Sequence, residues 1–145
     1  MSTVRWSGYD LPLTLLSAEL NGLANNALSN LSSDTVNSNG SLFCDFEFLA
    51  GATFSPGSNA LLDIWMLRSI DGGLSFEDGS PSFTPPRDPD LSIAVRAGSS
   101  IMPRAGAPLI VLPVGHYKAL ARNRLGATIP TGSMVRMASY TETAV

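Results

Sequence analysis

Thirteen glycines and ten prolines punctuate this 145-residue chain, and few segments run ten residues without one. That spacing leaves little room for long helices and directs the chain toward short strands joined by turns. Leu42 to Leu49 alternates, with Leu42, Cys44, Phe46 and Phe48 on one face and Asp45 and Glu47 on the other. This is the pattern of a half-buried strand. Leu61 to Ile70 is apolar on both faces, Leu62, Ile64 and Met66 against Leu61, Trp65 and Leu67. It reads as a central strand, or one whose second face meets a partner. Leu91, Ile93, Val95 and Ala97 alternate with Ser92, Ala94 and Arg96 as a third strand, and Leu109 to Val114 is a short apolar run bounded by Pro113 and Gly115.

Two segments admit two readings. Tyr117 to Leu125 is a strand with Lys118, Arg122 and Arg124 on its wet face, or a short helix on Tyr117, Leu120, Ala121 and Leu125. The flanking Gly115 and Gly126 favour the strand. Leu16 to Leu31 places leucines at helical intervals, but its Asn, Ser and Gly22 favour extended structure with a turn at Asn25-Asn26. Turn sequences lie at Asn37–Ser41 and Ser55–Asn59; Asp71-Gly72-Gly73 with Asp78-Gly79 suggests a hairpin, and Pro85 to Asp90 a stiff surface crossing. The fold expected is all-β: a single antiparallel β-sandwich, jelly-roll-like, over residues 16–145. Residues 1–15 are expected to form an extended N-terminal arm or edge strand.

Composition narrows the function classes. Hydrophobic residues make up 44% and charged residues only 14%, against about 25% charged in typical soluble domains. A disordered tail is excluded, and an exterior more neutral than usual suits a protein held against others. The net charge of −3 argues against a nucleic-acid partner, which calls for a basic domain or stripe. Charge is nevertheless uneven. Residues 1–72 carry two bases against seven acids, while residues 91–145 carry six bases against Glu142 alone. Such asymmetry could bring copies together, acidic face to basic face. No secretory leader pattern opens the chain, and no apolar run approaches the roughly 20 residues of a membrane helix. Cys44 is the single cysteine and reads as a buried small hydrophobe in a reducing cytoplasm, or in a particle assembled there.

Catalytic patterns are sparse. His116 is the only histidine, no Gly-x-Ser-x-Gly elbow accompanies it, and it reads as a loop residue beside Tyr117. One His and one Cys cannot supply a zinc site. The acids at Glu77-Asp78 and Asp88/Asp90 lie in turn contexts. No catalytic, cofactor-binding or metal-ligating residue is therefore assigned, and no enzyme is expected. Ser69-Ile-Asp71-Gly-Gly73-Leu-Ser75-Phe76 resembles the Asp-box of sialidases and related propellers. It is read as a hairpin stabiliser, with the Asp capping the hairpin turn and the aromatic tucked beneath.

The order Leu62-Asp-Ile-Trp65, Ser69-Ile-Asp-Gly-Gly73, Phe76-Glu-Asp-Gly79 and Pro85-Pro86 resembles a family of small tailed-bacteriophage virion proteins. The likeness continues through Leu112 to Lys118, Arg122 to Gly126 and Arg136 to Glu142, and spans roughly residues 20–145. The resemblance implies a non-enzymatic β-sandwich of the virion, assembled in the host cytoplasm. The leading expectation is a head decoration or cement protein, a dimer or trimer, that binds the major capsid protein and stabilises the closed lattice, with no membrane partner. The alternative is a tail, baseplate or fibre module, in one version carbohydrate-binding for host attachment, with Trp6, Trp65, Tyr9 and Tyr117 as candidate exposed aromatics. Arg5, Trp6 and Tyr9 of the N-terminal segment are expected at an interface. So are Lys118, Arg122 and Arg124, projecting from one strand face toward an acidic surface.

Overall fold

A computed structural model describes residues 4–6, 8–37 and 43–144, with backbone alone for 4–6, 36 and 142–144. Among the described residues, ten strands follow one another. The first five are β1 (Val4–Trp6), β2 (Leu13–Leu16), β3 (Thr35–Asn37), β4 (Phe43–Leu49) and β5 (Leu61–Ser69). The second five are β6 (Leu91–Ala94), β7 (Arg104–Val111), β8 (Gly115–Arg124), β9 (Met134–Tyr140) and β10 (Glu142–Ala144). One 3-10 turn, Ala18–Leu20, interrupts them, and the described residues contain no α-helix. The fold is all-β, as the glycine and proline spacing requires.

The pairing is nested. β1 pairs with β10, β2 with β9, β3 with β8, β4 with β7 and β5 with β6, every pair antiparallel. The first half of the chain thus lies against the second like a long hairpin. Two further antiparallel pairings, β4 with β9 and β5 with β8, wrap that hairpin on itself. They gather eight strands into two sheets, ordered β2-β9-β4-β7 and β3-β8-β5-β6, with β1 and β10 as a separate ribbon. The boundary expected at residue 15 falls inside β2, and Leu15 and Leu16 on either side of it are both buried.

Alternation fixes which face of each strand turns inward. Cys44, Phe46 and Phe48 of β4 and Val135 and Met137 of β9 face Leu62, Ile64 and Met66 of β5, Ile93 of β6, and Ala119 and Ala121 of β8 in one shared core. Burying a large aliphatic or aromatic side chain contributes about 1.5–3 kcal/mol, so this layer between the sheets dominates the stability. β5 is covered on both faces. Its other side places Trp65 and Leu67 with Leu120 of β8 beneath Leu28, Leu31 and Phe76 in a second, smaller cluster.

The covering segment at residues 26–32 runs along β8 without a regular ladder. Ser29 N–H donates to Ala121 O (2.8 Å) and Ser32 N–H to Ala119 O (2.9 Å). Their hydroxyls accept from Ala121 N–H (3.0 Å) and Ala119 N–H (2.8 Å). Serine side chains thereby stand in for carbonyls that an irregular backbone cannot align. The turn expected at Asn25-Asn26 is present, with Asn26 at φ 65.

The hairpin expected around Asp71 and Asp78 is not formed. Residues 70–90 make a single long loop from β5 to β6, with an isolated bridge between Ser80 and Phe83. The local reason is Asp71. Its carboxylate accepts from Ser69 Oγ (2.6 Å), Leu74 N–H (3.1 Å), Ser75 N–H (2.9 Å) and Ser75 Oγ (2.5 Å). With Gly72 at φ 74 and Gly73 at φ 93, the chain is coiled around one side chain instead of laddered across two strands.

Candidate functional site

Each residue singled out in the sequence can now be located. Arg5 and Trp6 belong to β1, which pairs with β10 of the same chain; their side chains lie outside the described residues. Trp65 and Tyr117, offered as exposed aromatics, are buried. Trp65 packs in the smaller cluster and donates its Nε1–H to Arg87 O (3.0 Å), while Tyr117 lies in the main core. Neither can stack on a ligand.

Lys118, Arg122 and Arg124 lie on a strand, β8, which resolves the helix-or-strand alternative. They are not uniformly free. Lys118 Nζ sits 4.7 Å from the centroid of the Phe76 ring, a cation–π contact. Arg124 Nη1 lies 3.1 Å from Oδ2 of Asp63 on β5, whose side chain is 4% exposed and also accepts from Ser92 Oγ. Arg124 is therefore the countercharge of a buried carboxylate, and truncating it would strand Asp63. His116 is a strand residue of β8 and not a loop residue; its Nδ1 lies 2.9 Å from Asp34 Oδ2.

Tyr9 leads to a site that no local motif announces. The outward face of the β2-β9-β4-β7 sheet carries a groove of about 620 Å³, walled on one side by residues 9–12. Strand register builds its polar row. Glu47 of β4 lies between Arg136 of β9 and Gly106 of β7, and Asp45 lies opposite Ala138. Glu47 Oε2 is 2.7 Å from Arg104 Nε, and its Oε1 is 2.7 Å from Arg136 Nη2. Arg136 Nε is buried without a hydrogen-bond partner among the described residues. Asp45 accepts from Tyr9 O–H (2.6 Å), Tyr140 O–H (3.1 Å) and Leu109 N–H (2.8 Å). Asp10, at the rim, accepts from Ser139 Oγ (2.7 Å).

A backbone irregularity adjoins this row. Between Cys44 and Phe46 the β4–β7 register slips, leaving Pro108 and Leu109 opposite Asp45. Leu109 takes φ 60, a left-handed conformation costly for a non-glycine residue. Its N–H is then aimed at the Asp45 carboxylate. Bulges of this kind re-aim groups beside functional sites.

Asp45 and Glu47 are held toward the ionised form. Partial burial works to raise them, but hydrogen bonds from Tyr9, Leu109 and Tyr140 outweigh it at Asp45. Bonds and charge from Arg136 and Arg104 do the same at Glu47, so both lie below their usual range. Glycoside hydrolysis needs one carboxylic acid kept protonated near neutrality, and this pair does not supply it. The row can orient a ligand through hydrogen bonds. Among the described residues no cluster of three His, Cys, Asp or Glu side chains could hold a metal ion. No helix among the described residues is long and apolar enough to cross a membrane.

A second feature is the loop tip after β5. Ile70 is 93% exposed and Leu74 87% exposed, on either side of the coil fixed by Asp71. Phe76 tucks under that coil into the smaller cluster, and Gly73 packs against Asp34 and His116, where an added Cβ would stand 2.9 Å from Asp34 Oδ2. The tip thus carries two exposed aliphatic side chains on a turn bonded to Asp71. No protein-family model matches this chain, and neither curated proteins nor solved structures give a match.

Proposed function

We propose that the chain is a jelly-roll virion protein that attaches to an assembled bacteriophage shell as a decoration or cement protein of the major capsid protein. One observation carries this reading: two large aliphatic side chains, Ile70 and Leu74, held in solvent on a turn hydrogen-bonded to Asp71. Apolar side chains exposed together mark surfaces that meet a partner, and a mount already held by hydrogen bonds loses little entropy on docking. The nested strand order supports the fold half of the reading, because eight strands in two sheets, paired as one long hairpin, are what a double-sheet jelly roll would require. That architecture serves viral capsid domains among others. The resemblance of residues 20–145 to small tailed-phage proteins supplies the virion context.

On this reading the protein works as a dimer or trimer without catalysis. It binds the closed lattice and not its separated parts, so its binding free energy adds to shell stability by mass action. The test is quantification of its band in purified particles, with attachment of wild-type and Ile70→Ser/Leu74→Ser protein to bare shells. Hundreds of copies per particle and weakened attachment of the double variant are expected. A few copies, or a dozen, would assign the protein to the tail or baseplate instead.

A further inference from the structure

We propose that the groove on the outward face of the β2-β9-β4-β7 sheet binds a neutral glycan. The inference does not rest on attachment to a shell. A pyranose presents an apolar face of C–H groups, ringed by hydroxyls that donate and accept together. The groove offers the complement of each. Tyr9 is 64% exposed at its wall. Its hydroxyl is tied to Asp45 and its ring meets that of Tyr140 edge-on, with centroids 5.1 Å apart at 81°. An aromatic surface open to ligand and already fixed costs little to order on binding.

The polar row supplies the second complement. Arg104 gives only its Nε to Glu47, and its side chain is 67% exposed. Its two terminal nitrogens, unpartnered among the described residues, form a planar fork that can span neighbouring hydroxyls. Carboxylate and guanidinium alternate across three strands as Arg136, Glu47 and Arg104, so donors and acceptors lie side by side. Asp10 at the rim joins Asp45 and Glu47 to set three carboxylates against Arg104 and Arg136, a slight negative excess that favours a neutral ligand over an anionic one. Between these groups the floor is low, with Gly106, Ala107 and Ala138. A volume of about 620 Å³ lies within the range of small-ligand sites, about 300–1,000 Å³. A short oligosaccharide fits such a space.

Gly106 makes the idea testable without unfolding the protein. A Cβ there would meet nothing closer than Phe46 O at 3.5 Å, an ordinary contact, so the backbone leaves room to begin a side chain that fills the floor. The experiment screens the full chain on an array of neutral and uronic-acid oligosaccharides, then titrates the best-bound sugar by calorimetry. Binding of a neutral oligosaccharide is expected. Tyr9→Ala should weaken it at least tenfold, Gly106→Val should abolish it, and Arg122→Ala, on the other sheet, should leave it unchanged. Circular dichroism of each variant should match wild type. No array signal above background overturns the proposal. So does sugar binding that survives Gly106→Val in a folded protein. Retention of acidic oligosaccharides alone, lost as salt rises, overturns it in favour of a polyanion site.

Discussion

Leu109 stores conformational strain in full view of solvent. Its φ of 60 costs an L-residue about 1–2 kcal/mol, and its side chain, more than half exposed, recovers little by burial. What holds it is the bond from its N–H to Asp45. Leu109→Gly keeps that bond and relieves the strain, so it is expected to raise the thermal midpoint by a few degrees. An unchanged or lower midpoint would mean the backbone is not strained there.

The carboxylates of the same neighbourhood set the acid limb of stability. Asp45 and Glu47 titrate below their usual range, and so does Asp71, held down chiefly by hydrogen bonds from Ser69 and Ser75. A carboxylate whose folded pKa lies below its unfolded value stabilises the fold fully above the unfolded value, about 4. That contribution is lost as pH falls through the folded pKa. Stability should therefore be level near neutrality and drop steeply below about pH 4. Glu47→Gln is expected to lower the plateau and flatten the drop. An acid limb of unchanged slope would exclude Glu47 from it. Cys44, in contrast, is buried, and burial foremost pushes its thiol up to about 11, so it should resist alkylation in the folded protein.

Among the elements, the seam between residues 26–32 and β8 is held by two side chains where a regular strand would use its backbone. Replacing Ser32 with Ala leaves the buried Ala119 N–H without its acceptor, and Ser29→Ala does the same to Ala121. An orphaned buried donor costs about 1–3 kcal/mol, and the two losses should show separately in denaturant titrations. Losses near zero would mean that the seam has relaxed to another partner.

The elements also differ in how clearly the sequence announces them. β4, β5 and β6 are legible because alternation, or its absence, reports faces directly, and β8 is legible as one of two readings. β7 is not, because Gly106 and Pro108 give it the composition of a loop. The long loop after β5 reads as a hairpin because its glycines and aspartates are hairpin residues; only the fan of bonds to Asp71 distinguishes it. Of the groove, the sequence yields Tyr9 as an interface aromatic and Asp45 and Glu47 as the wet face of a strand. Arg104 and Arg136 stay invisible as their partners, since only the register of β7 and β9 on β4 brings them there.

At the scale of the molecule, nesting explains where the lopsided charge goes. The acidic first half and the basic second half are laid strand against strand, so Glu47 meets Arg104 and Arg136, and Asp63 meets Arg124. Complementarity expected between copies is in part consumed within one. Nesting also dictates an order of assembly. Once β5 and β6 have met, β4 and β7 are separated by only the short connections 50–60 and 95–103. Each later rung inherits a loop already shortened by the one inside it, so the entropic cost of closure is concentrated in the first. The chain should zip outward from the 70–90 loop, slowly to start and quickly thereafter. Lengthening that loop with a flexible Gly/Ser insert beyond Pro81 would then slow refolding by about the same factor as it lowers stability, leaving the unfolding rate alone. An equal insert between β8 and β9 would speed unfolding instead. The time taken to fold is thus set at the centre of the sequence, far from both the groove and the chain ends.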